Sequence, residues 1–277
     1  MARLAIERLD DPRLAWYRGV SDPGLLAAGG LFVAEGRLVV RRLLEGTRFP
    51  LESVLVTPAA FEGLRDALEP RLADLPVFVV AKDLLVNLTG FNLHRGCLAL
   101  GRRLPATAVG ALLPPPGRAA LLMGVEALAN ADNVGGVFRN AHAFGASGVL
   151  LDGRSCDPLY RKAIRTSMGA SLLVPWARAE PWLASLREVQ RAGFTVVALT
   201  PDPAAVDLRD AVNAPRAASP PRVLVLVGNE GAGLGDQTQS LADVRIRIPM
   251  AHSAESLNAA TASGIALHHY ARYCGLL

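Results

Sequence analysis

Cysteine is scarce and badly placed for cross-linking. Cys97, Cys156 and Cys274 are odd in number, far apart, and form no C-x-x-C pair or Cys/His cluster. Neither a disulfide framework nor a zinc site is supported, and three reduced thiols packed as small apolar groups are expected. Lysine is scarcer still: only Lys82 and Lys162 stand among the 29 Lys and Arg residues. Hydrophobic residues make up 51% of the chain, yet no uninterrupted apolar run approaches the roughly 18–20 residues that span a bilayer. The opening residues carry no apolar core followed by a small-residue cleavage site. These absences lead us to expect a cytoplasmic protein with no membrane partner. No Gly-Lys-Ser/Thr follows a glycine-rich turn, which excludes a Walker phosphate loop, and no His/Asp cluster suggests a metal, so none is expected.

What is present points elsewhere. The formal charge is +4 with a pI near 9.3, and the positive charge is nearly all arginine, whose planar fork matches phosphate oxygens. A coding bias toward Arg and Ala would give the same net charge, so the distribution matters more. Arg37, Arg41, Arg42 and Arg48 cluster early, Arg95, Arg102 and Arg103 follow, and Arg161, Lys162 and Arg165 form a third group. These clusters are candidate RNA contacts, represented by Arg37, Arg41, Arg95, Arg161, Lys162 and Arg165.

At 277 residues the chain can form one large domain or two ordinary ones. Pro105, Pro114, Pro115 and Pro116 mark residues 105–118 as an extended linker, because proline removes a donor and biases its predecessor away from helix. The resulting division is 1–104, linker 105–118, and 119–277. In the first part a helical pattern opens at Phe32 and runs through Leu44. Strands are expected at 53–56, 77–80 and 97–100, with helices at 59–68 and 82–88, giving a small α/β domain. The second part alternates strands at 119–125, 148–151, 172–175, 195–200, 223–228 and 244–248 with helices at 135–144, 160–169, 181–192 and 256–273. Near-continuous apolar strands between helices imply a parallel sheet covered on both faces. Ligands bind such sheets beyond the carboxyl ends of the strands.

Three segments lie at those ends: Asn130-Ala131-Asp132-Asn133-Val134-Gly135-Gly136-Val137-Phe138-Arg139, Gly228-Asn229-Glu230-Gly231-Ala232-Gly233-Leu234, and Ile248-Pro249-Met250 followed by Ser256-Leu257-Asn258. A glycine-rich turn after a strand lets a ligand approach the backbone. A plain turn explains Gly231 and Gly233 but not the Asn-Glu before them, and too little chain follows for a dinucleotide-binding βαβ unit. Ser256 is placed to open a helix, a routine cap position whose free N–H groups also favour electron-rich groups. Asn133 is expected in a loop and Arg139 within the following helix.

In order and spacing these segments resemble the SpoU/TrmH-type RNA ribose 2′-O-methyltransferases of the trefoil-knotted SPOUT superfamily. The resemblance is strong over 119–277 and weaker over 30–104. In the first part, Phe32-x-x-Glu35-Gly36 and the Thr89-Gly90…Gly96 turn look like the family's RNA-binding domain, itself related to certain ribosomal proteins. The departures are Ala131-Asp132 before Asn133, where Pro-x is common, and Gly136, where a larger residue is usual. What the resemblance implies is an α/β fold whose C-terminal parallel-sheet domain carries a deep trefoil knot. It also implies S-adenosylmethionine as cofactor, lined by Thr200, Gly228, Ile248, Met250 and Leu257, and homodimers with the site near the subunit interface. Catalytic roles fall by resemblance on Arg139, Asn133, Glu230, Ser256 and Asn258. The expected activity is methyl transfer to a ribose 2′-hydroxyl, with ribosomal RNA favoured because of the separate N-terminal domain. The alternatives are a transfer-RNA ribose methylase, a resistance methylase acting on ribosomal RNA, and a non-catalytic knotted RNA-binding or assembly protein. Arg139 is either a base or a phosphate clamp, and its guanidinium, charged beyond pH 12, favours the clamp.

Overall fold

A computed structural model describes residues 3–18, 20, 23–46, 48–90, 96–211, 220–251 and 256–277. Arg95, much of the 89–96 turn, and residues 212–219 and 252–255 lie outside the described residues. Among the described residues no helix is long and apolar enough to cross a membrane.

The chain opens with strand β1 (Arg3–Ile6), short helices α1 (Ala15–Arg18) and α2 (Pro23–Ala28), strand β2 (Leu31–Glu35) and helix α3 (Arg37–Glu45). There follow β3 (Leu51–Val56), α4 (Pro58–Glu62), α5 (Arg65–Leu68), β4 (Val77–Val80), α6 (Lys82–Thr89) and β5 (Cys97–Arg102). The remainder comprises α7 (Val109–Leu112), β6 (Ala120–Val125), α8 (Ala131–Ala143), β7 (Gly148–Leu151), α9 (Arg161–Thr166) and α10 (Ala170–Leu173). It ends with β8 (Trp176–Arg178), α11 (Trp182–Arg191), β9 (Thr195–Leu199), β10 (Val206–Asp207), β11 (Arg222–Val227), α12 (Asp236–Leu241), β12 (Val244–Arg247) and α13 (Ala259–Tyr273).

Two compact units form. The first takes residues 1–105 together with 159–172, and the second takes 106–158 and 173–277. A single cut between N- and C-terminal halves therefore misses one segment. Helix α9 and the turn after it pack on the first unit because Arg161 pairs with Glu35 at 2.6 Å and the Met168 carbonyl accepts from Arg42.

The first unit is a mixed five-stranded sheet in the order β1-β4-β3-β5-β2. β1, β4 and β3 run parallel, and β5 pairs antiparallel with both β3 and β2. The helical pattern expected from Phe32 begins later than expected. Phe32 to Glu35 form strand, since β-branched and aromatic residues there pair along β5, and the helix starts at Arg37, after Gly36 at φ 97°. From there Val39, Val40, Leu43 and Leu44 are buried at helical spacing. The helix expected at 59–68 is broken into α4 and α5 around Gly63.

The second unit is a seven-stranded sheet in the order β10-β12-β9-β11-β6-β7-β8, parallel at every pairing. β6 and β11 are buried along their whole length, as apolar strands covered on both faces must be. The 172–175 segment is not a strand: residues up to Leu173 are helical in α10 and the strand begins at Trp176, after buried Ser167 has accepted from the Ser171 N–H.

Residues 105–118, expected as an extended linker, include a short helix. Val109 and Leu112 of α7 are buried. Buried Arg222 donates to the Pro115 and Pro114 carbonyls, both at 2.7 Å, and stacks 4.4 Å from the Phe194 ring. These two carbonyls lie outside any helix or sheet ladder, and a guanidinium distant in sequence supplies their donors.

Candidate active site

β9, β11 and β12 end side by side, and the loops beyond them enclose a cleft. β11 runs into Gly228, where a Cβ would sit 2.2 Å from the Gly233 carbonyl carbon and 2.3 Å from its oxygen. Only glycine permits that approach. The loop closes through Asn229 N–H to the Gly233 carbonyl at 3.1 Å and the reverse bond at 2.9 Å, with Gly233 in the left-handed region at φ 70°. The Asn229 side chain completes the turn: its Oδ1 accepts from Gly231 N–H at 2.8 Å and Ala232 N–H at 3.1 Å.

The cleft is lined by Thr200 after β9, by Gly228 and Glu230 after β11, and by Ile248 and Met250 after β12. Ser256 and Leu257, just before α13, close it, with Ala259 and Ala262 of α13 behind. All five residues expected to line a cofactor site thus share one cleft with two of the five expected catalytic residues. Leu199, Val227 and Leu257 supply apolar wall beside loop backbone, a donor set suited to a nucleoside-sized ligand.

Two further side chains join through hydrogen bonds. Buried Asn133 donates its amide to the Glu230 carboxylate and accepts from Asn258 Nδ2 at 2.8 Å. Asn258 Oδ1 in turn caps α13, accepting from Ala260 N–H at 2.9 Å and Thr261 N–H at 3.2 Å. The capping bond fixes which end of the amide is oxygen, so the chain Asn258–Asn133–Glu230 has one direction and ends on a carboxylate acceptor. Two expectations are corrected here. Asn133 lies in the first turn of α8, not in a loop, because Asn130 caps that helix by accepting from Asp132 N–H at 2.8 Å. Ser256 does not open the last helix; Asn258 is its cap.

Arg139 stands apart from this hydrogen-bond chain. It is exposed on α8, roughly 9 Å along the axis from Asn133, and its guanidinium makes no hydrogen bond or ion pair with a described residue. α8 and α13 are locked beside it: a Cβ on Gly136 would meet that of Ala260 at 2.6 Å, and Asn140 donates to the Ala260 carbonyl at 2.6 Å and to Ser263 Oγ at 3.0 Å. Glycine at position 136, where the resemblance leads one to expect a larger residue, is what lets the two helices touch.

The expected RNA contacts fall in the first unit and divide in two. Arg41 is held by Asp66 in a two-pronged ion pair at 2.6 and 2.8 Å, and Arg161 by Glu35. Lys162 also has a partner. Arg37 and Arg165 are exposed. Asn229 is a site residue that sequence reasoning passed over; the Asn-Glu pair ahead of the glycines was the signal for it. Among the described residues no group of His, Cys, Asp and Glu could hold a metal ion.

Residues 120–268 match the model of the SpoU rRNA Methylase family. An uncharacterized tRNA/rRNA methyltransferase of Mycobacterium bovis is 37% identical over 267 residues, covering 95% of this chain and 90% of that one. An AdoMet-bound rRNA methyltransferase from Sinorhizobium meliloti superposes with a TM-score of 0.77 at 24% identity, covering 97% of both chains. An RNA 2′-O ribose methyltransferase superposes with a TM-score of 0.75 at 26% identity, covering 99% of this chain and 100% of the other.

Proposed function

Because the chain belongs to the SpoU methylase family of RNA methyltransferases, we propose that it transfers a methyl group from S-adenosylmethionine to a ribose 2′-hydroxyl of ribosomal RNA. The observation that carries this reading is the directed chain Asn258–Asn133–Glu230 ending at the lip of the cleft. The cofactor, when bound, supplies an electrophilic sulfonium methyl group. Thr200, Gly228, Ile248, Met250 and Leu257 would hold it, their apolar walls against the adenosine and the loop backbone available to its edges.

With the methyl group supplied by the cofactor, the ribose hydroxyl proton would need an acceptor among this chain's own residues. Glu230, with one carboxylate oxygen occupied by Asn133, keeps a second oxygen for the ribose. Ser256, on the same rim, is placed to orient it. Arg139, exposed on α8 and with no partner among the described residues, clamps an RNA phosphate. Holding the hydroxyl in line supplies much of the acceleration.

The same reading includes a trefoil knot, with the stretch from Ile248 through α13 passing behind the loops after Thr200 and Gly228. It also includes a homodimer that completes the site, and RNA contact through Arg37 and Arg165 of the first unit. The 37%-identical relative carries both transfer and ribosomal RNA in its name; the separate first unit favours the ribosomal substrate. The test is transfer of label from radiolabelled S-adenosylmethionine to unmodified ribosomal RNA and to unmodified transfer RNA, side by side. Label on ribosomal RNA alone is expected. Label confined to transfer RNA refutes the substrate, and cofactor binding without transfer to either refutes the enzyme.

A further inference from the structure

Ala127, just beyond β6, has a φ of 54°, a left-handed conformation that a residue with a Cβ avoids unless its surroundings impose it. Two side chains impose it. The Ala127 N–H donates to Asp152 Oδ1 at 2.9 Å, and its carbonyl accepts from Asn229 Nδ2 at 3.0 Å. Asp152 is 4% exposed and is itself anchored, accepting from Ser155 N–H at 2.9 Å and Ser155 Oγ at 2.6 Å. Ser155 Oγ then accepts from the next amide, Leu128 N–H, at 3.1 Å. Asn229 has no freedom to turn its amide over, since Oδ1 is committed to Gly231 and Ala232.

These bonds join the ends of β6, β7 and β11 at one residue. The loop after β11 and the segment after β6 are therefore tied twice, by Asn229 to Ala127 and by the following residue, Glu230, to Asn133. We infer that Asn229 and Asp152 are positioning residues: by holding Ala127 in its left-handed turn they set the entry of α8, and so the distance at which Asn133 meets Glu230. The inference rests on the methyltransferase reading for its catalytic consequence and on geometry alone for the tie. Neither residue touches the reacting atoms in that reading; they act through the Asn133–Glu230 pair.

Asn229→Asp separates the two functions of this side chain. A carboxylate keeps both acceptors for the turn but sets an oxygen against the Ala127 carbonyl, replacing attraction by repulsion. The full-length variant is expected to keep its circular dichroism spectrum, while kcat for RNA methylation at saturating S-adenosylmethionine falls by at least about tenfold, one lost buried hydrogen bond plus the repulsion. Amide hydrogen exchange over residues 126–133 should quicken by a similar factor of about ten. Adding Ala127→Gly to that variant should recover at least about threefold in kcat, because glycine adopts a positive φ without a tie, while the repulsion at its carbonyl remains. Wild-type kcat and exchange in Asn229→Asp would overturn the inference, as would a kcat loss that the added glycine leaves untouched. If wild-type protein moves no methyl group to any RNA, the methyltransferase reading fails, and hydrogen exchange alone decides the tie: quickened exchange at 126–133 supports it, unchanged exchange refutes it.

Discussion

Gly228→Ala is the smallest change that should disable the cleft while sparing the sheet. The added methyl would lie 2.2–2.3 Å from three backbone atoms, the Gly233 carbonyl carbon and oxygen and the Leu234 nitrogen. None is the movable end of a side chain, so the loop must open by more than an ångström. Opening breaks the paired backbone bonds between Asn229 and Gly233, each worth about 0.5–1.5 kcal/mol. The loss of about 1–3 kcal/mol falls on the closed, ligand-ready loop and corresponds to a cofactor Kd raised roughly 5- to 150-fold. Gly231→Ala is the internal control, since its Cβ would meet nothing nearer than Asn229 Oδ1 at 3.5 Å, an ordinary contact. Calorimetric titration of both variants with S-adenosylmethionine, with circular dichroism to confirm the fold, gives the answer. Equal affinity in the two variants would refute the claim that backbone crowding at Gly228 shapes the cleft.

Three further outcomes follow from particular contacts. Arg139→Lys should lower kcat/KM for RNA about 10- to 100-fold with cofactor affinity unchanged, since an ammonium cannot grip a phosphate in two prongs; near-wild-type steady-state turnover would dismiss both a guanidinium clamp and an arginine base. Arg222→Leu should cost about 2–4 kcal/mol in urea unfolding, from two charged hydrogen bonds to proline carbonyls and a cation–π contact, and a midpoint within error of wild type would show that the proline segment is held by something else. His269 is held below the usual imidazole range, first by burial and then by His268, and its Nε2 is buried with no hydrogen-bond partner among the described residues. The unfolded chain therefore takes up the proton first, so stability rises with pH across the interval below about pH 6.5 and levels off above it. His269→Gln should flatten that part of a melting-temperature profile, and an unaltered slope would remove His269 as its source.

Much of this was legible in the residues. β6 and β11 announce themselves because strands buried on both faces are apolar along nearly all their length, and the cleft was legible because glycine, asparagine and glutamate at strand ends have no use in a core. Most of the misreadings share one cause, namely partners far away in sequence. Phe32 to Glu35 read as helix until β5, more than 60 residues later, is there to pair with them. One misreading is local: the helix expected from Gly135 starts at Ala131, because Asn130 caps it. The close approach of Gly136 to Ala260 then packs it on α13. The proline segment looked like an extended linker because the guanidinium that satisfies it sits at position 222. Asn229 stood out beside the glycines but received no role, because its value lies in a bond to Ala127, 102 residues away.

The central claim is that the oxygen attacked through this cleft belongs to a ribose. Methylating a 2′-hydroxyl removes the nucleophile by which alkali cleaves the adjacent phosphodiester, so labelled RNA from the reaction should release its label in alkali-resistant dinucleotides. Label recovered instead in mononucleotides, with the methyl group on the base, would contradict the account at its root.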